Sequence, residues 1–314
     1  MGHHHSHADH DHQDHQGGHH HAHAVPQSFN LAFAIATILN LSFVVLEIFY
    51  AYAANSMGLM ADAAHNLGDV LGLLLAWGAN WLLTKPARRR YSYGYKRTTI
   101  LAAVANALVL VATSALIAFE SIHKLMHLDA VNEHTVIGIA LLGIFINGGT
   151  ALLFIKGSHD DLNIKGAFLH LLYDALIAFG VVVAGFAILW TGFSWLDPIV
   201  GLAIVLFILW GTWGLLRDSI RLMMDAVPHY IDYSGVHQYL KTLPGVVDIH
   251  DLHIWGLSTK EVALTVHLIM GSGISTVDYK EINKTLKDHY KINHATVQVE
   301  TEHSNYLCVR SDQC

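Results

Sequence analysis

Two histidine–aspartate pairs stand out in a chain whose middle is otherwise apolar. The segment ADAAHNLGD carries His65 and Asp69, and AFLHLLYD carries His170 and Asp174. In each pair a four-residue separation sets both side chains on one face of a helix, a turn apart. Bringing two such faces together assembles two imidazoles and two carboxylates, the ligand types and number of a tetrahedral zinc site. Zn2+ with two carboxylates and two neutral imidazoles sums to zero charge. Without the ion, the same groups hold two uncompensated negative charges that protons would neutralise. Metal and proton thus compete for one set of groups, which is the thermodynamic basis of metal/proton exchange.

The elements that must position these pairs are long and apolar. Of the 314 residues 53% are hydrophobic and 14% charged, with a mean hydropathy of +0.39, against about 25% charged in a soluble globular protein. Six runs are long enough to cross a hydrocarbon core of roughly 20 helical residues: 31–53, 57–83, 98–125, 135–155, 164–190 and 195–216. Buried helices of a soluble protein would show polar faces at helical period; these runs show only isolated polar residues. The residues before the first run are rich in His and Asp, not Lys and Arg, so that run is expected to be a retained span and not a cleaved signal. His65–Asp69 falls in the second span and His170–Asp174 in the fifth, where a charge costs about 2.5–3.5 kcal/mol and needs a reason.

Orientation follows from Lys and Arg in the short connections. The second holds Lys85, Arg88, Arg89, Arg90, Lys96 and Arg97, the fourth holds Lys156 and Lys165, and the first and fifth hold none. These two loops are expected in the cytoplasm, and with six spans so are both termini. The net charge of −7 and the absence of a basic face argue against nucleic acid as a partner.

Other polar residues in the spans read differently. Asp62 is either a third acid near the site or a helix-start residue facing water. Glu47, Asn40 and Asn147 read as interhelical hydrogen-bonders, and Glu120 is expected near a membrane surface. After the last span, an α-β-β-α-β order follows: helix 233–243, strands 246–255 and 262–270, helix 277–290 and strand 294–300. The division expected is a His-rich tail over 1–28, a six-helix transmembrane domain over 29–217, a cytoplasmic α+β metal-binding domain over 218–303 and a Cys-containing tail over 304–314. The first tail, from His3 to His23, is a compositional metal-binding tract interrupted by Asp9, Asp11 and Asp14. Cys308 and Cys314 are metal ligands or idle thiols; their spacing is wider than that of tight zinc sites.

With His65-x3-Asp69, His170-x3-Asp174, VDIHDLHIWGLS and VALTVHLIM in place, the chain resembles the cation diffusion facilitator family, in its zinc-transporting (cobalt/zinc/cadmium efflux-like) branch. The resemblance covers the six spans and the soluble domain. It implies a homodimer, each protomer with a transport site, in a bacterial-type inner membrane, and a cytoplasmic domain of ferredoxin-like type. It implies Zn2+ as cargo and as a structural ligand of the soluble domain, with Cd2+ or Co2+ as further candidates. His250 and His267 fall at the family's ligand positions on adjacent strands, with His294 or Glu300 to complete that site. Strand parity turns His253 to the opposite face. The resemblance also implies an ion pair between Lys96 and Asp225 that steadies the dimer.

The function expected is export of Zn2+ from the cytoplasm in exchange for protons. A membrane-bound metal sensor or store needs no paired sites within spans. An intramembrane zinc hydrolase needs an open coordination position, which four protein ligands would fill, and no H-E-x-x-H pattern occurs.

Overall fold

The second long helix begins where a carboxylate meets its free amides. Asp197 accepts from Met57 N at 2.5 Å and Gly58 N at 3.2 Å and is also bonded by the Ser56 hydroxyl, whose oxygen accepts in turn from Leu59 N at 3.1 Å. The unpaired N–H groups of a helix start are thereby satisfied by an acid near its positive end. The computed structural model describes residues 31–155, 162–271 and 277–301. The six long helices are α1 (Leu31–Ala53), α2 (Met57–Leu83), α3 (Thr98–Met126), α4 (Glu133–Phe154), α5 (Leu162–Thr191) and α6 (Leu196–Met223).

Five of these, α2 to α6, are long and apolar enough to cross a bilayer, and the described apolar stretch of α1 runs Ile38–Ala53. Their outer faces carry large apolar side chains in the open: Phe145 is 73% exposed and Trp210 81%. In water such a surface would aggregate; in lipid it is the expected one. Neighbouring helices pack as α4 with α5, α3 with α6, and α2 with α1, α3, α5 and α6. Two glycines permit close approach. A Cβ at Gly201 of α6 would stand 2.9 Å from Met57 O, and one at Gly72 of α2 would stand 2.8 Å from the Asn106 amide of α3.

The soluble part runs α7 (Tyr233–Lys241), β1 (Val246–Gly256), β2 (Val262–Met270), α8 (Tyr279–Asp288) and β3 (His294–Thr301), the order expected from sequence. Asp232 and Asp278 cap the two helices. The sheet order is β1-β2-β3, with β1 antiparallel and β3 parallel to β2. Leu264 and Leu268 of β2 pack with Val236 and Leu240 of α7 and Ile282 and Leu286 of α8 in one core. Alternation then turns Thr265 and His267 to the other face of the sheet.

Two departures from the local pattern appear here. Within one chain Lys96 and Asp225 take other partners. Arg97 pairs with Asp225 at 2.5 Å, and Lys96 with Glu261 at 2.5 Å. Lys96 and Arg97 lie in the turn just before α3, which sends one cation to the β1–β2 hairpin and the other to the end of α6. Thr259 N adds a bond to Thr99 Oγ1 at 3.2 Å. The second departure is a bulge in β1. His250 pairs with His267 but His253 pairs with Thr265, so Asp251 and Leu252 together oppose the single Val266 and His253 shares the face of His250.

Candidate metal centre

The sites of α2 and α5 converge. His170 Nε2 lies 3.4 Å from Asp69 Oδ2 and 3.6 Å from Asp174 Oδ2. His65 stands between the two acids, with Nδ1 3.6 Å from Asp69 Oδ2 and Nε2 3.6 Å from Asp174 Oδ1. Tetrahedral ligand atoms about 2.0–2.2 Å from one zinc ion are about 3.3–3.6 Å apart, so the spacing suits an ion better than direct hydrogen bonds. His65, Asp69 and Asp174 offer atoms within 4.8 Å of one another. The His65 and His170 rings, with centroids 6.3 Å apart, are wider than the about 5 Å of two imidazoles on one tetrahedral ion. His170 is thus the outermost member of the four.

Both carboxylates are buried, Asp174 at 2% exposure. Asp174 Oδ1 and His65 Nδ1 have no hydrogen-bond partner among the described residues, and buried polar atoms left so are costly. His65, Asp69 and His170 line a cavity of about 30 Å3 walled on its other sides by Asn106 and Leu110 of α3 and by Ile208 and Thr212 of α6. That is room for one small occupant. Asn106 and Thr212 were not singled out in the sequence; their only signal is a polar side chain in an apolar run.

Behind His65, Asp62 is 1% exposed, so of its two readings the buried acid holds and the water-facing one does not. Glu47 of α1 is fully buried and accepts from Asn66 Nδ2 of α2 at 3.1 Å, the interhelical bond expected of it. Asn147 is buried, but its Nδ2 makes no hydrogen bond among the described residues, nor does Asn40 Oδ1.

The soluble domain holds a second cluster. Glu300 Oε2 lies 3.2 Å from His250 Nε2, and Glu300 Oε1 lies 2.8 Å from His267 Nδ1. The two rings have centroids 4.9 Å apart, close to the separation of two imidazoles on one tetrahedral ion. Three donors of nitrogen and oxygen type fit a zinc ion, with a position to spare. His294 is not part of it: β3 pairs it with Ala263, at the far end from His267, and its ring packs on Tyr93 at 5.7 Å. Asp251 is an addition the sequence reading missed. At φ 54° it forms the bulge, and it reaches His267 Nε2 at 3.5 Å and His253 Nε2 at 2.8 Å. An Asp tolerates that left-handed backbone, but strand parity gives no warning of it. Cys308, Cys314 and the His-rich tail lie outside the described residues.

Known proteins share both parts. The chain matches the family model described as cation efflux transmembrane domain over residues 33–224 and that described as cation efflux protein, cytoplasmic domain, over residues 228–302. The chain belongs to the cation diffusion facilitator family. It is 32% identical over 285 residues to the cation efflux system protein CzcD of Alcaligenes sp. (strain CT14), covering 90% of each chain. It is 30% identical over 277 residues to the cadmium, cobalt and zinc/H(+)-K(+) antiporter of Bacillus subtilis, covering 87% of this chain and 89% of that one. To the zinc transporter ZitB of Escherichia coli it is 32% identical over 261 residues, covering 82% and 83%. A solved structure of the metal-bound C-terminal domain of the CzcD transporter from Cuprividus metallidurans is 33% identical, covers 22% of this chain and 99% of that one, and has a TM-score of 0.21. This cation diffusion facilitator is therefore a multi-pass membrane protein of metal cation efflux, of the zinc, cobalt and cadmium branch, and a transporter, not an enzyme.

Proposed function

We propose that the chain exports Zn2+ from the cytoplasm in exchange for protons, through His65, Asp69, His170 and Asp174. The observation that carries this is the convergence of four ligand groups from two apolar helices at 3.4–3.6 Å. Loaded with Zn2+ the group is neutral, and emptied it takes up protons, so each form crosses low-dielectric surroundings at tolerable cost. Relatives named for zinc and for zinc/H(+)-K(+) antiport support the cargo and the exchange. Imidazole and carboxylate donors also suit Co2+ and, less well, Cd2+.

The working unit on this reading is a homodimer with both termini in the cytoplasm. The match to a cytoplasmic cation efflux domain favours that assembly, and the Lys and Arg of 85–97 favour that orientation. His250, His267 and Glu300, with Asp251 beside them, would hold zinc in the soluble domain as a structural ion. That cluster by itself favours the alternative of a metal sensor or store. Zinc flux into proteoliposomes under an imposed pH gradient separates the two. The parent is expected to move zinc as the gradient collapses and Asp174→Ala to move none. Zinc binding without flux in the parent would replace transport with sensing.

A further inference from the structure

Glu120, His123 and His127 follow one another along the end of α3 remote from the soluble domain, which touches α3 at Thr99. Spacings of three and four residues lay them on one helical stripe, and all three are exposed. The helix ends at Met126, and its capping bond runs from the His127 N–H to His123 O at 3.0 Å. The backbone thus sets the two imidazoles a turn apart. Their centroids lie 5.0 Å apart with the planes inclined at 46°. Two imidazoles bound to one tetrahedral ion through nitrogens about 2.0–2.1 Å away have centroids about 5 Å apart. The pair is therefore held at the separation that a shared ion requires.

The surrounding charge agrees. Lys124, on the same turn, has its ammonium bonded to Asn55 O at 2.9 Å and to the Asn55 side chain, away from the stripe. Glu120, Asp129 and Glu133 set three carboxylates against that one ammonium within residues 120–134. Along α3, Leu110 walls the cavity beside His65 and Asp69, and His123 stands about 20 Å further on. An ion that enters from the side of the soluble domain leaves the bundle at the end where this stripe lies.

We propose that His123 and His127 bind a divalent transition-metal ion such as Zn2+ or Co2+ at the exit end of the bundle, water completing the coordination. Imidazole donors select such ions over Mg2+ and Ca2+. With two nitrogens in the open, the site binds more weakly than a four-ligand one and releases its ion readily. Its place on the exit route rests on the transport reading above; the binding of metal there does not.

The test is residue-resolved modification of the full-length protein by diethyl pyrocarbonate, read by peptide mass spectrometry, with Zn2+ alone as the probe and Mg2+ as control. Zn2+ is expected to slow modification of both His123 and His127 by at least about fivefold, which corresponds to about 1 kcal/mol, and Mg2+ to leave it unchanged. In His123→Ala the protection of His127 is expected to vanish while that of His250 persists. Unslowed modification of His123 and His127, equal protection by Mg2+, or protection of His127 that survives His123→Ala would each overturn the site. Vesicle flux of the parent is scored separately. Protection without flux keeps the metal site and removes its role in exit; flux without protection keeps the transport reading and overturns the site.

Discussion

His170 Nε2 stands 3.4 Å from Asp69 Oδ2, so the imidazole of one helix's motif meets the carboxylate of the other's. The site exists only while α2 and α5 are side by side, and any motion that parts them opens it. Ion binding and helix position are in this way one equilibrium.

Loss of a ligand should be severe. Asp174→Ala removes the most buried of the four groups and leaves two imidazoles facing one acid. Zinc affinity at this site is expected to fall more than about 100-fold, beyond the 10–100-fold typical of a group one shell further out. Isothermal titration of the purified protein, compared with Asp248→Ala on the surface of the soluble domain, checks it; a fall shared by both would point away from Asp174.

Changing a ligand's type should alter selectivity. His65→Asp exchanges a nitrogen donor for a third carboxylate and makes the zinc-loaded site negative. The preference for zinc over cadmium is expected to shrink about tenfold, about 1.4 kcal/mol, as measured by competitive flux of the two ions. Unchanged discrimination would remove His65 from the ligand set.

Proton competition has a definite sign. Metal and protons compete for the same imidazole and carboxylate groups, so zinc binding is expected to weaken as pH falls, by up to about tenfold per pH unit for each proton displaced. Release of protons on adding zinc to weakly buffered protein at neutral pH measures the number directly; no release would contradict exchange at this site.

The two ion pairs that join the parts of the chain should differ in weight. Arg97 and Asp225 are about half exposed, whereas Lys96 and Glu261 are more sheltered, and an exposed pair contributes about 0–1 kcal/mol. Glu261→Ala is expected to raise hydrogen exchange at the start of α3 by about fivefold, on the order of 1 kcal/mol, and Asp225→Ala by less. The reverse order would make the α6 end, not the hairpin, the principal anchor.

At the other end, Asp197 serves the start of α2 through two backbone amides and the Ser56 hydroxyl. Asp197→Ala leaves those amides buried without a partner and is expected to cost about 2–4 kcal/mol, given about 1–3 kcal/mol for each unmet buried group. Thermal unfolding with Asp218→Ala as reference reads this; equal midpoints would show that water replaces the carboxylate.

The sequence by itself determined the spans, the two His-x3-Asp motifs and the order of the soluble elements, because each is written in local spacing. Apolar length, a four-residue interval and two-residue alternation need no partner to be read. What crosses between elements was decided only by the tertiary structure. Whether Asp62 faces water or protein depends on where α1 lies, and it is Glu47 and Asn66 that close that side. Glu300 joins His250 and His267 while His294 does not, because the parallel register of β3 on β2 brings one end of that strand to the metal-binding face. The bulge at Asp251 reverses the parity of β1, and no local pattern announces an extra residue in a strand. Likewise only the packing of the turn before α3 against α6 and the hairpin gives Asp225 to Arg97 and Glu261 to Lys96 within the chain.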